Sequence, residues 1–396
     1  MKEDDMCGLG PELLAEAQGL GEMLISWRRE FHQFPELAFE ENITASRITQ
    51  ALSSMKGMRV FTGFGTPTSV IGVLRGDIDR PALVLRAEMD ALPLEEETGL
   101  PFSSCMPGVM HACGHDAHMA SLLGCAMVLA NRAEQLERPV IFLFQPAEEG
   151  RGGAKALVEG GFFRRFKVDN VIGVLMWPHL PYGYLATRRG VMTALSDRVH
   201  IEIRGVGGHA ATPHATVDPV LVASHAVIGV QSLISREVDP LEGAVISFGQ
   251  MEAGYAYNVI PESAHLWGTL RAFNTEVRDR LKERLEEMVP LIARAHRARA
   301  SVEYVKNYPS VYNDPDCVER VLRAADRFFG ADSVSELEHP LLSGEDFSFY
   351  SMEVPSCLML LGTGMECGLH HPRYDIPEEL MPLMSAWEAF LAITMG

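Results

Sequence analysis

Two rhythms of hydrophobic and polar positions divide the chain. The first consists of unbroken apolar runs: Ala82-Leu83-Val84-Leu85, Val140-Ile141-Phe142-Leu143-Phe144, Val171-Ile172-Gly173-Val174-Leu175-Met176 and Cys357-Leu358-Met359-Leu360-Leu361. Such runs read as strands of a parallel sheet covered on both faces, with helical patterns filling the gaps. From Ala117 to Ala133, Met119, Leu122, Leu123, Ala126 and Leu129 fall on one helical face, and Asp116 is placed to cap it. The second rhythm occupies the middle. Arg198 to Gly205 alternates like a half-buried strand, Pro219 to Arg236 reads as a helix, and Val245 to Phe248 and His265 to Phe273 read as strands. Thr275 to Arg297 is an amphipathic helix interrupted or kinked at Pro290, and Ser301 to Val305 closes the series as a strand. The order βαββαβ is that of a ferredoxin-like sandwich. An α+β unit between two stretches of α/β pattern predicts an inserted domain over 188–305, with 1–187 and 306–396 forming the surrounding domain.

Each apolar run is followed at once by polar residues. Glu88 and Asp90 follow the first, Glu148 and Glu149 the second, His179 the third, and His370 and His371 the fourth. Open α/β sheets place their sites beyond the carboxyl ends of the strands, so these residues are expected to converge. Cys113 and His115 are expected in the loop before the helix at 117, inside His111-Ala112-Cys113-Gly114-His115-Asp116-Ala117-His118. Imidazole and thiolate together form the ligand set preferred by zinc and its first-row neighbours, and in an extended or loop backbone residues two apart point to one side. Glu148 and Glu149 cannot easily share one job, because like charges raise a pKa. A metal resolves this by binding one and leaving the other to handle protons. Of His370 and His371, one is expected as a ligand. His209, on the glycine-lined stretch Gly205-Val206-Gly207-Gly208, and Asn258 and Arg271, near strand ends, are further polar candidates.

Composition narrows the classes. A chain of 396 residues exceeds one core, and 47% hydrophobic with 22% charged residues suits a globular protein. A net charge of -19, from 53 acidic and 34 basic residues, disfavours nucleic acid and anionic lipid as partners. No apolar run reaches the length of a membrane span. The acidic start Met1-Lys2-Glu3-Asp4-Asp5 lacks a signal peptide's apolar core, so a cytoplasmic protein with reduced cysteines is expected. Cys125 and Cys357 read as core filler.

At these residues the chain resembles the M20 metallopeptidase superfamily, in its branch of N-acyl-amino-acid amidohydrolases that includes hippurate hydrolases and indole-acetyl-amino-acid hydrolases. The matching blocks are Arg86 to Pro93, Met110 to His118, Phe144 to Gly150, Gly207 to Ala211, Asn258 to Pro261, Gly344 to Phe347 and Leu369 to Pro372. They occur in family order and span nearly the whole chain. The resemblance implies a three-layer α/β catalytic domain with a mixed, mostly parallel sheet, and an inserted ferredoxin-like lid through which the chain would form a homodimer. It implies Cys113, His115, Glu149 and His370 as metal ligands and Glu148 as the general base acting on metal-activated water. His209 would stabilise the oxyanion, and Asn258 and Arg271 would hold the substrate's carboxylate side. The cofactor would be a divalent metal (zinc, manganese, nickel or cobalt), one or two ions per chain, and the substrate a small N-acyl amino acid.

Two positions depart from the family pattern. Leu175, in Val174-Leu175-Met176-Trp177-Pro178, occupies the place of a ligand histidine. His179 lies four residues on, roughly 13 Å away along an extended chain. Glu88 stands where the family usually has aspartate. A mononuclear site is the sharper expectation, and a metal-impaired relative that binds acyl amino acids or a partner without turnover is the alternative to an active amidohydrolase. His111 and His118 are expected to pack, cap or support the ligands from behind.

Overall fold

The computed structural model describes residues 8–395, so the acidic start and Cys7 lie outside the described residues. It divides into two units. The first takes the chain up to Met192, then Val311–His339 and the segment from Asp346 onward; the second takes Thr193–Ser310 and Pro340–Glu345. The unit borders thus stand at 192 and 310 rather than after 187 and 305, and 340–345 joins the second unit.

Four strands of the first unit carry the candidate site: β1 (Ala82–Glu88), β2 (Val140–Gln145), β3 (Val168–Trp177) and β4 (Ser356–Gly362). They lie in the order β2-β1-β3-β4 at the centre of an eight-stranded sheet and run parallel to one another. Antiparallel strands flank them, Val70–Leu74 beside β2 and Leu185–Thr187 beside β4, so the sheet is mixed but mostly parallel. Every residue of β1, β2 and β4 is buried, which is why these segments are apolar throughout rather than alternating.

One face is covered by α1 (Gly21–Gln33), α2 (His115–Asn131) and α3 (Leu380–Thr394), whose Leu24, Leu122 and Trp387 share a core with Ile172, Val174 and Met176 of β3. Phe347 and Tyr350 pack edge to face on the other side. There a Cβ at Gly173 would stand 3.0 Å from the Phe347 ring. The result is three layers, helix on sheet on helix. α2 starts two residues earlier than the pattern suggests. Gly114, at φ 84°, is its N-cap, and His115 is its first residue rather than part of the loop. Asp116 therefore does not cap the helix; it sits inside the first turn with other partners.

Those partners form a buried ion cluster. Arg28 of α1 donates from Nε to Asp116 Oδ2 at 2.8 Å and from Nη2 to Asp375 at 2.5 Å. His32, one turn on, places Nδ1 2.8 Å from Asp116 Oδ2 and Nε2 3.2 Å from Glu96. Burial opposes a charge on His32, but Asp116 and Glu96 outweigh it and lift its pKa to about 9. Asp116 is likewise held low against burial by Arg28 and His32. The cluster ties α1 to the first turn of α2.

In the second unit, Leu195–Arg204, Ala244–Ala253, Ser263–Ala272 and Arg299–Tyr308 form one antiparallel sheet, with Leu195–Arg204 and Ser263–Ala272 at its centre. Helices Pro219–Glu237 and Thr275–Ala295 pack on one face, completing the ferredoxin-like βαββαβ order. Asp218 and Asn274 cap them, accepting from Val220 and Val277 at 2.9 and 2.7 Å. Pro290 does not interrupt the second helix, which runs unbroken from Thr275 to Ala295. Among the described residues, no helix is long and apolar enough to cross a membrane.

His32 carries a pKa above its unfolded value, so its contribution to stability is fully present below about pH 6.5. That contribution is lost as the pH rises through about 9. Its size is on the order of 3 kcal/mol. Denaturant unfolding should show wild type losing its advantage over His32→Gln between these pH values.

Candidate metal centre

The site begins where β1 ends. Asp90 accepts the Glu148 backbone N–H on Oδ1 and the Glu149 N–H on Oδ2, each at 2.9 Å. Its backbone carbonyl lies 2.8 Å from His115 Nδ1. One residue thereby holds the turn after β2 and the first residue of α2. Burial pushes the Asp90 carboxyl up to about 7; His115 opposes this, while nearby Glu149 adds to it.

The turn itself is tightly constrained. Ala147 takes the left-handed conformation at φ 58°, which turns the chain so that both following N–H groups reach Asp90. A Cβ at Gly153 would overlap the Pro146 carbonyl oxygen, so only glycine lets the chain leave this turn.

On this scaffold the predicted ligands gather. Ligand atoms of Cys113, His115 and Glu149 lie within 4.8 Å of one another. With Nδ1 facing the Asp90 carbonyl, His115 has Nε2 available for coordination. His370, at φ 62°, stands on a loop whose N–H donates to the Ala112 carbonyl at 2.8 Å, and its Nε2 lies 3.2 Å from Glu149 Oε1. Burial acts to raise the Glu149 pKa, but His370, His115 and Cys113 hold it below the usual range. Thiol, imidazole and carboxylate within reach of one another are a donor set that fits a first-row transition-metal dication.

Glu148 is buried at the same turn and is not one of the trio formed by Cys113, His115 and Glu149. The remaining candidates lie in the second unit. His209 pairs with Val259 across a two-stranded ribbon, and its Nδ1 accepts the Ala211 N–H at 3.0 Å. The Asn258 carbonyl accepts the Ala210 N–H at 3.1 Å, so Asn258 is fixed to the same ribbon. Arg271 donates to the Leu342 carbonyl at 3.0 Å, and burial lowers its pKa.

The expected convergence of all strand-end residues is incomplete. His179 is exposed, with Nε2 3.6 Å from where a Cβ on Gly368 would stand. His371 turns back to accept the Arg373 N–H at 3.1 Å. His111 is buried with neither ring nitrogen partnered, and burial pushes its pKa down to about 3. His118 joins a separate chain of bonds: Nδ1 lies 2.9 Å from Glu88 Oε2, while Nε2 accepts the Met176 N–H at 2.9 Å. Asp90 is the anchoring residue whose importance the sequence conceals. Its position after β1 marks it as a strand-end carboxylate, but nothing in the spacing shows that it binds the 148–149 turn.

Residues 84–393 match the family described as Peptidase family M20/M25/M40. The chain is 37% identical to the N-acetylcysteine deacetylase of Bacillus subtilis over 93% of its own length and 96% of that protein's. It is 38% identical to the N-acetyldiaminopimelate deacetylase of Halalkalibacterium halodurans, over 90% of its length and 95% of that protein's. Among solved structures it resembles the YXEP protein of Bacillus subtilis, described as a dinuclear metal binding peptidase from the M20 family. That likeness has a TM-score of 0.80 and 33% identity, covering 96% of this chain and 98% of the other.

Asp90→Asn cannot accept two backbone N–H groups on two oxygens. It should weaken metal binding about 10- to 100-fold in a chelator competition titration while the circular dichroism spectrum is retained.

Proposed function

This chain belongs to peptidase family M20/M25/M40, and from that premise we propose that it hydrolyses the amide bond of small N-acyl amino acids. It is a metallo-amidohydrolase of that family, and deacetylation of N-acyl amino acids is what its relatives' names describe. The observation that carries the reading is the pair of adjacent carboxylates held on Asp90, of which Glu149 joins Cys113 and His115 and Glu148 does not.

In this reading Cys113, His115, Glu149 and His370 hold a divalent ion such as zinc, manganese, nickel or cobalt. The ion, when bound, lowers the pKa of water and polarises the scissile carbonyl. Glu148 takes the proton from the attacking water and returns it to the leaving amine. Its backbone is fixed by Asp90, so the carboxylate works from one position. His209 supplies a donor where the oxyanion of the tetrahedral intermediate forms. Asn258 and Arg271 hold the carboxylate of the amino-acid half. The second unit also supports a homodimer: Leu221 and Ile228 on helix Pro219–Glu237 are 51% and 71% exposed, an apolar stripe suited to a second copy.

Leu175 motivates a second reading, a metal-impaired relative that binds acyl amino acids without turnover. A hydrolysis panel that includes N-acetylcysteine and N-acetyldiaminopimelate, run with metal content measured on the same sample, separates the two. Metal-replete protein that cleaves none of the panel would rule out the amidohydrolase. Glu148→Gln should retain metal and lose about 10²- to 10⁴-fold in kcat. In sedimentation, Ile228→Glu should shift the protein from dimer to monomer.

A further inference from the structure

The two departures from the family pattern lie toward the carboxyl ends of adjacent strands. The parallel register of β1 and β3 ends at Arg86 and Gly173; Glu88 and Leu175 each lie two residues further along their strands, where the His118 ring spans from the Glu88 carboxylate to the Met176 N–H. The Leu175 side chain is half-buried and lies on the opposite face from Val174 and Met176, which belong to the core under α2. Leucine where the resemblance implies a ligand histidine and the longer carboxylate at 88 therefore both fall at the end of this strand pair.

The Glu88 carboxylate is already engaged there. Oε1 takes a hydrogen bond from Arg86 Nη1, and Oε2 lies 2.9 Å from His118 Nδ1. Arg86 is fully buried and also donates to Gln145 Oε1 at 2.9 Å and Asp346 Oδ1 at 3.0 Å. Because His118 Nε2 accepts the Met176 N–H, the proton of the neutral ring sits on Nδ1 and points at Glu88. Ligand atoms of Glu88, His115 and His118 come within 4.8 Å of one another, a spacing that suits an ion. Yet neither nitrogen of His118 offers a lone pair, and the permanent cation Arg86 already lies on the carboxylate. A dication placed there would meet a guanidinium at close range in a dry interior.

We propose that Glu88 and Leu175 together close the second metal position, so that this chain holds one ion, on Cys113, His115, Glu149 and His370, where a relative is described as dinuclear. These four side chains would hold one ion, and a water would enter as a further ligand when the site expands for catalysis. The internal ion pair of Arg86 and Glu88, capped by His118, takes the place of the second.

The inference rests on the metal-dependent reading but is tested without turnover. Purified protein is stripped with chelator, reloaded with zinc or manganese and freed of excess. Metal per chain is then counted by plasma mass spectrometry, alongside a calorimetric titration. Wild type should bind about one ion per chain in a single phase, and the double variant Glu88→Asp, Leu175→His about two in two phases. Two ions on wild type, or one on a folded double variant, would overturn the proposal. If the double variant fails to fold, the wild-type count and the number of binding phases still decide it. One ion on a protein inactive toward every amide would overturn the proposed function and leave this inference standing.

Discussion

Asp90 does with two carboxylate oxygens and a carbonyl what would otherwise take several residues. It accepts the N–H groups of Glu148 and Glu149 and faces His115 Nδ1, so the end of β1, the turn after β2 and the start of α2 share one anchor. The anchor is electrostatically costly, since burial favours its protonated form. Two backbone donors offset that cost, and a bound dication in the same pocket would add to them. The geometry of the ligands and the ionisation of Asp90 are therefore one problem. A site of this kind tolerates little slack, because each tether also sets the direction of a donor atom.

Behind the site, the Arg28, His32 and Asp116 cluster plays a comparable part for α2. Buried ion pairs contribute little net stability when weighed against apolar packing, so this one is better understood as fixing the position of a helix end. That end carries His115, and Gly114 beside it could not carry a side chain without meeting Ile376.

Much of this was legible in the sequence. Strands buried on both faces must be apolar throughout, so β1 to β4 stand out as unbroken runs, and their polar followers mark the sheet's carboxyl edge. The four proposed ligands were nameable from residue type and family motif, and the structure brings them together. What stayed hidden depends on partners distant in sequence. Asp116 looks like a helix cap until Arg28 and His32 arrive from α1 to claim it. The link between the end of β1 at Glu88 and the β3 backbone beside Leu175 runs through His118, which comes from α2, distant in sequence from both. His179 was the reverse case, promising by type but set aside by the path of its loop. Pro290 looked disruptive, yet the helix continues through it.

The interruption of the first unit by the second has a consequence for how the protein is made. β3 and β4 are hydrogen-bonded neighbours, yet the whole second unit is translated between them. Cys113, His115 and Glu149 leave the ribosome early, while His370 follows β4 near the end of synthesis. Domains fold largely in the order they emerge, and pairings across long sequence separations form late. The fourth proposed donor is therefore added when the sheet closes, and a growing chain presents only an incomplete set. On the proposed ligand set, retention of an ion would mark a finished chain, and metal-free protein in a cell would be drawn first from molecules whose last strand has not yet docked.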